Sequence, residues 1–194
     1  MSVSSLIVMD DFLTPEQCQA LIAFAKPRLQ VTTTWNLAKG GPAVDPEYRV
    51  SESIFCLLNE SSLIGWVERK IETVTGIPVA HGEGIQMFHY GVGGFYKPHY
   101  DWFDPAFDGN KAALAQGGQR VMSVCIYLNH VAAGGQTQFH QWERIIEPKP
   151  GRALFWRNVL PDGTPDRQTM HEALPVVTGE KWVLMKWLRE RPYV

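Results

Sequence analysis

From about residue 80 onward, apolar residues recur at every second position in short runs. GIQMFHY, RVMSVCIYL, QTQFHQW, RALFWRN and KWVLMKWL all read as strands, and the Gly-rich breaks GVGG, QGGQ and AAGGQ separate several of them. In the last run Lys181, Val183, Met185 and Trp187 share one face, and Trp182, Leu184 and Leu188 the other, so both faces are apolar enough to be buried. Upstream the period changes. Residues 14–26 read as a helix: Thr14 is placed to cap it, Pro15 takes the first helical position, Gln17 completes a capping box and Pro27 ends it. Leu21, Ile22 and Phe24 supply its apolar face. Leu63, Val67, Ile71 and Val74 recur at helical spacing over residues 62–75, and Gly76 closes that helix.

Many short strands behind a helical start predict a mainly β fold with flanking N-terminal α-helices. The expected core is a double-stranded β-helix, or jelly roll, with the helices on one outer face. The whole chain, 1–194, is expected to form a single domain, with 1–80 as a helical and strand extension packed on a core of 81–194. Two stretches, roughly 32–50 and 102–119, lack either period and are long for loops. The second begins directly after Asp101 and is read as a lid, against the alternative of simple disorder.

Composition narrows the class. At 45% hydrophobic and 20% charged, the chain has the make-up of a folded globular protein. A net charge of −2 gives no ground for a nucleic-acid partner or an anionic membrane surface. Three widely spaced cysteines, Cys18, Cys56 and Cys125, with no CxxC, argue against a disulfide framework or a cysteine zinc site, and read as buried thiols. The apolar run Leu6 to Met9 is too short for a signal peptide, and no stretch approaches the ~18 apolar residues of a membrane span. The expectation is a cytoplasmic protein.

Four residues carry the candidate chemistry: His99, Asp101, His171 and Lys181. On a strand, residues two apart point to the same side, so His99 and Asp101 can ligate one ion. Alone, the pair is equally a surface histidine beside a turn carboxylate, and His171 alone is equally a structural histidine. Together, two imidazoles and a carboxylate can occupy one face of a metal and leave the opposite positions open, the facial arrangement of non-haem Fe(II) oxygenases. Lys181 shares its strand face with apolar side chains. An ammonium there is costly unless it meets a carboxylate, or else sits at an exposed strand start and reaches water.

The joint pattern resembles the prolyl 4-hydroxylase family of Fe(II)/2-oxoglutarate dioxygenases. The resemblance is carried by HYGVGGFYKPHYDWFDP, GGQRVMSVCIYLNHVAAGGQTQF, EPKPGRALFW and LPDGTPDRQTMHEALPVVTGEKWVLMKWLRERP. It covers about residues 80–192 closely and extends more loosely to TPEQCQALI and YRVSES. It implies that His99, Asp101 and His171 bind Fe(II) and that Lys181 pairs with the distal carboxylate of 2-oxoglutarate. Tyr90 and Thr137 would also reach that carboxylate, with Trp187 as an aromatic neighbour. Arg120 and Tyr96 would contact peptide, and Arg49 matches the arginine of the family's R-x-S element on a substrate-facing loop. With Trp102 and Phe103, Tyr96 could line a groove for an extended proline-rich segment.

The implied reaction is hydroxylation of a peptidyl proline in a protein or peptide substrate, consuming O2 and 2-oxoglutarate, releasing succinate and CO2, and using L-ascorbate as reductant. From the residues alone other readings stay open. Tyr90 is equally a core tyrosine, Arg120 a solvated strand-end charge, and the aromatics packing residues. The same cofactors could serve a lysyl side chain, a free amino acid or a small metabolite, or the enzyme could serve as an O2-dependent sensor. A barrel holding a metal without redox turnover is the alternative from another class. His81, His89, His130 and His140 receive no role, although His130 stands where the family often has aspartate.

Overall fold

The computed structural model describes residues 6–36 and 41–193. Its larger sheet has seven antiparallel strands. In spatial order they are Leu6–Met9, Ala153–Arg157, Arg120–Tyr127, Lys181–Arg189, Ile85–Tyr90, Glu52–Cys56 and Gln30–Val31. A five-stranded sheet follows the order Arg144–Ile146, Thr137–Phe139, His171–Ala173, Phe95–His99, Arg49–Val50. The two sheets face each other as a double-stranded β-helix. The strands from Leu6–Met9, Gln30–Val31 and Glu52–Cys56, all upstream of residue 81, extend the larger sheet at both edges.

The alternation along Lys181–Arg189 sorts the two faces of the central strand. Trp182, Leu184 and Leu188 join an apolar cluster with Leu21, Ile64 and Ile71 from the helices α1 (Pro15–Ala25) and α2 (Ser62–Thr75). Val183, Met185 and Trp187 join a second cluster between the sheets, with Phe88, Tyr127, Phe139 and Trp156. The helices therefore cover one outer face of the larger sheet and leave the inter-sheet space for a site. Both helix starts are capped. Gln17 N–H donates to Thr14 Oγ1 while Thr14 N–H donates to Gln17 Oε1, the reciprocal box. Ser61 Oγ accepts from Ile64 N–H, and Gly76 ends α2 at φ +70°. A buried pair, Lys186 Nζ to Glu68 Oε1 at 2.6 Å, ties α2 to the central strand. The three cysteines are free and buried.

Gly151 shows how tightly the N-terminal segment is laid down. Its φ is +76°, and a Cβ there would run into the Leu13 carbonyl. Its own carbonyl accepts from Leu13 N–H at 3.2 Å, and its N–H donates to the Tyr127 carbonyl at 2.9 Å. Gly151→Ala should therefore destabilise the fold by about 3 kcal/mol, adding left-handed backbone strain to a steric clash. A urea midpoint equal to the parent's would contradict that.

The two long stretches are not patternless. Within 102–119 lies a short helix, α3 (Lys111–Ala115), preceded by a 3-10 turn at Asp108–Asn110. The base of the loop is pinned: Gln119 Oε1 accepts from Phe103 N–H at 2.8 Å, and Gln119 Nε2 donates to the Phe103 carbonyl at 2.7 Å. The Arg189 guanidinium donates to the carbonyls of Ala113 and Gln116. Simple disorder is thus not the state of this segment. A five-residue helix is too short to show a period, and tertiary hydrogen bonds hold it. The 32–50 stretch contains a hairpin, Thr34–Asn36 with Gly41–Ala43, and the strand Arg49–Val50. Its residues 37–40 lie outside the described residues.

Candidate active site

His99 ends one strand of the smaller sheet and His171 begins its neighbour, and the register sets them directly opposite each other. Cross-strand neighbours on one face are close enough to share a ligand. Asp101 follows two residues after His99 and completes the cluster: one ligand atom from each of the three lies within 4.8 Å of the others. Asp101 Oδ1 is 3.8 Å from His99 Nε2, and Asp101 Oδ2 is 3.8 Å from His171 Nε2.

Both rings are held in one tautomer. His99 Nδ1 donates to the Lys97 carbonyl at 2.8 Å, and His171 Nδ1 to the Thr169 carbonyl at 2.9 Å. Each Nε2 is thereby turned toward the cluster, the arrangement that metal-binding imidazoles use. Burial first, and His171 next, push the His99 imidazolium down to about 3, so this ring is neutral. Burial alone would raise the Asp101 carboxyl, but His171, His99, Arg120 and the Ser123 hydroxyl outweigh it and the net shift is downward. A neutral imidazole beside an ionised carboxylate is the donor set a divalent metal requires.

The adjoining cavity is bounded by Tyr90, Cys125, Thr137, Trp156, Lys181 and Trp187 among others. Lys181 pairs with Tyr90 across the strands and is only 2% exposed. Its Nζ lies 5.4 Å from the Tyr90 ring centre and 5.5 Å from that of Tyr127, and it has no ion pair or hydrogen bond among the described residues. Burial pushes its ammonium down to about 8, with Arg49 acting in the same direction and Cys125 against it. The indole N–H groups of Trp156 and Trp187 are likewise buried and unpartnered. Three unspent donors around one cavity, beside a metal-type cluster, fit an anionic ligand that chelates the metal at one end and meets the ammonium at the other.

Residues 85–189 match the family described as the 2OG-Fe(II) oxygenase superfamily. The chain belongs to that superfamily. It is a dioxygenase, an enzyme of a family that works with Fe(II), 2-oxoglutarate and O2. Among similar curated proteins, prolyl 4-hydroxylase 1 of Arabidopsis thaliana is 36% identical over 96% of this chain and 69% of its own length. Prolyl 4-hydroxylase subunit alpha-1 of Gallus gallus is 36% identical over 93% of the chain, which spans 35% of that subunit. Among solved structures, the viral collagen prolyl hydroxylase of Paramecium Bursaria Chlorella virus-1, in its 2OG complex, superposes with a TM-score of 0.75 at 25% identity and 95% coverage of both chains. A Pseudomonas putida prolyl-4-hydroxylase shares the fold, with a TM-score of 0.65 at 19% identity, covering 97% of this chain and 94% of its own.

The remaining expected residues divide. Tyr90, Tyr96, Thr137, Lys181, Trp187 and Arg49 all line the dioxygenase cavity. Tyr96 stacks on His99 at 3.6 Å between ring centres. Arg49 donates to Tyr90 Oη at 3.0 Å and to Ser51 Oγ at 2.9 Å, and lies over the Phe88 ring at 3.9 Å and the Tyr96 ring at 4.2 Å. It thus bridges the tyrosine expected to meet cosubstrate and the one expected to meet peptide. Arg120 and Trp102 do not line this cavity. Arg120 is not a solvated strand end: Glu83 accepts from its Nε and Nη2 at 2.6 and 2.7 Å, and its Nη1 donates to the Asp101 carbonyl at 3.3 Å. Its guanidinium lies over the Trp187 ring at 4.1 Å and the Phe103 ring at 4.8 Å.

Sequence reasoning missed Glu83, Ser123, Tyr127 and Asn158. Tyr127 donates to Thr137 Oγ1 at 2.6 Å, and Ser123 to Asp101 Oδ2 at the same distance. The strand period held a signal for two of them, since Ser123, Cys125 and Tyr127 share a face of Arg120–Tyr127. Glu83 and Asn158 lie outside the periodic runs.

Proposed function

We propose that this dioxygenase hydroxylates a peptidyl proline in a protein or peptide substrate, with His99, Asp101 and His171 as the Fe(II) ligands and Lys181 as the counter-charge for 2-oxoglutarate. The observation that carries the reading is that one cavity is bounded both by the His–Asp–His cluster and by a buried ammonium with no anionic partner among the described residues. The prolyl substrate is supported by the prolyl 4-hydroxylase names of relatives that match nearly the whole chain.

When bound, Fe(II) with 2-oxoglutarate and O2 supplies the oxidation: one oxygen atom enters the substrate C–H bond, the other enters succinate, and CO2 leaves. The protein's own part is orientation and exclusion of water. The Lys97 and Thr169 carbonyls keep both Nε2 lone pairs on the metal side. Lys181 fixes the far carboxylate, and Tyr90 and Thr137, themselves set by Arg49 and Tyr127, flank it. The Trp187 and Trp156 indoles offer further N–H donors to the same ligand. Tyr96, stacked over His99, presents an aromatic surface where a proline ring would lie. Arg120, held by Glu83 against the Asp101 backbone, and Trp102, with its ring near Tyr100, stand outside that cavity beside Asp101, and this reading keeps them as contacts for the peptide beyond it. L-Ascorbate as reductant and a cytoplasmic setting complete the reading, the latter supported by three free buried cysteines.

The test is succinate release from 2-oxoglutarate with Fe(II), ascorbate and O2, with and without proline-containing peptides. Peptide-stimulated succinate and a proline heavier by one oxygen atom are expected. Stimulation only by lysyl peptides or free amino acids would move the substrate claim to those classes.

A pH dependence follows from Lys181. A bound dianion requires the ammonium, and the free protein releases that proton around pH 8. The dissociation constant for 2-oxoglutarate should therefore be flat below about 8 and rise above it, approaching tenfold per pH unit. Calorimetric titration with Mn2+ in place of iron measures this without turnover. A flat profile to pH 10 would remove Lys181 from the binding step.

A further inference from the structure

Two of the three clustered ligand groups are also joined by a route that does not pass through a metal. Ser123 Oγ donates to Asp101 Oδ2 at 2.6 Å, and Asn158 Nδ2 donates to Ser123 Oγ at 2.8 Å. Ser123 and Asn158 are fully buried and Asp101 is 5% exposed. The polarity of the chain is fixed by its chemistry. An ionised carboxylate can only accept, so the serine must spend its single proton on Asp101, and the asparagine must turn its NH2 toward the serine. That orientation leaves Asn158 Oδ1 buried without a partner among the described residues. An unpaired buried amide oxygen is destabilising, so packing alone gives no reason for asparagine at this position.

The other side of Asn158 leads to the second histidine. Its backbone N–H donates to the Val121 carbonyl, and its backbone carbonyl accepts from Asp166 N–H, both at 2.9 Å. The Asp166 carbonyl accepts from Thr169 Oγ1 at 2.7 Å. The Thr169 carbonyl is the group that accepts from His171 Nδ1. Asn158 therefore sits where the link to the carboxylate and the link to the imidazole diverge.

We propose that Asn158 is a positioning residue for the metal centre, its side-chain amide acting through Ser123 on Asp101, while the backbone at the same position carries the Asp166–Thr169 turn that leads to His171. With Oδ2 accepting from Ser123, the Asp101 carboxylate is held in one orientation at the cluster. This rests on reading His99, Asp101 and His171 as the ligand set, and the experiment separates the two claims.

Mn2+ is titrated into the 194-residue chain without 2-oxoglutarate, for the wild type, Ser123→Ala, Ser123→Thr, Asn158→Ala and His171→Ala, alongside thermal unfolding of each in chelator. Ser123→Ala and Asn158→Ala are expected to weaken Mn2+ binding by about 10- to 100-fold, the usual loss for a group that orients a ligand. Ser123→Thr, which keeps the hydroxyl, should bind as the wild type does. Metal-free unfolding midpoints that do not rank with the affinities distinguish positioning from general damage. Should Asn158→Ala not fold, Ser123→Ala still tests the chain on which Asn158 acts. Wild-type affinity in Ser123→Ala, or equal losses in the Ala and Thr variants, overturns the proposal. Wild-type affinity in a folded Asn158→Ala removes Asn158 from it. If the wild type itself does not bind Mn2+, or His171→Ala binds it equally well, the metal-centre reading fails first.

Discussion

His171→Ala should remove turnover by about three orders of magnitude or more, equivalent to about 4 kcal/mol of transition-state stabilisation. The variant keeps His99 and Asp101, but two donors do not hold a divalent cation in the geometry three provide. The loss is also local. The His171 ring packs between Phe139 and Trp156, at 5.4 and 4.9 Å between ring centres, and is 5% exposed. Alanine leaves a void among aromatics as well as an open coordination position, so some loss of stability accompanies the loss of metal. Succinate release and Mn2+ affinity should fall together. Retention of wild-type succinate release would show that His171 is not a ligand.

Lys181→Met is expected to pull function and stability in opposite directions. The 2-oxoglutarate KM should rise by about 100-fold or more, because the distal carboxylate would be buried without its counter-charge. The protein free of ligands should become more stable. In the parent, burial holds the Lys181 ammonium at about 8 rather than 10.5, a penalty of roughly 3 kcal/mol at neutral pH. Methionine fills a similar volume without that penalty. The sign can be checked in the parent as well. The unfolded chain binds the Lys181 proton between pH 8 and 10.5 and the folded chain does not, so Lys181's contribution to the stability of the ligand-free protein rises with pH through that window. Denaturant unfolding of both proteins at pH 7 reads the gain in stability, and 2-oxoglutarate saturation curves read the rise in KM. A variant less stable than its parent would mean that Lys181 has a partner of its own.

Legibility in the sequence followed periodicity. Strict alternation located Lys181–Arg189 and sorted its side chains to the correct faces, because a central strand buried on both sides has no freedom to slip. The capped helices were equally plain, since Thr14, Gln17 and Gly76 act through bonds three or four residues long. The facing of His99 and His171 was not legible from spacing: it comes from a strand register linking residues 72 apart, and only the family pattern suggested it. The alternative left open for Arg120, a solvated strand-end charge, falls away for the same reason. Its partner Glu83 is 37 residues upstream, and nothing local distinguishes Glu83 from other acidic residues. Ser123 and Asn158 are ordinary residue types whose roles exist only once three segments meet.

The anchoring of the 102–119 segment bears on transplantation. Arg189 is 2% exposed and divides its guanidinium between Glu83, 2.8 Å from Nη1, and the carbonyls of Ala113 and Gln116. A loop of different length or sequence moved in from a relative would remove those carbonyls and leave the Nη2 end of a buried guanidinium without its acceptors. The segment, Glu83, Gln119 and Arg189 therefore form one transferable unit. A chimera that exchanges the loop without the arginine beneath it should fold poorly, whatever the quality of the loop itself.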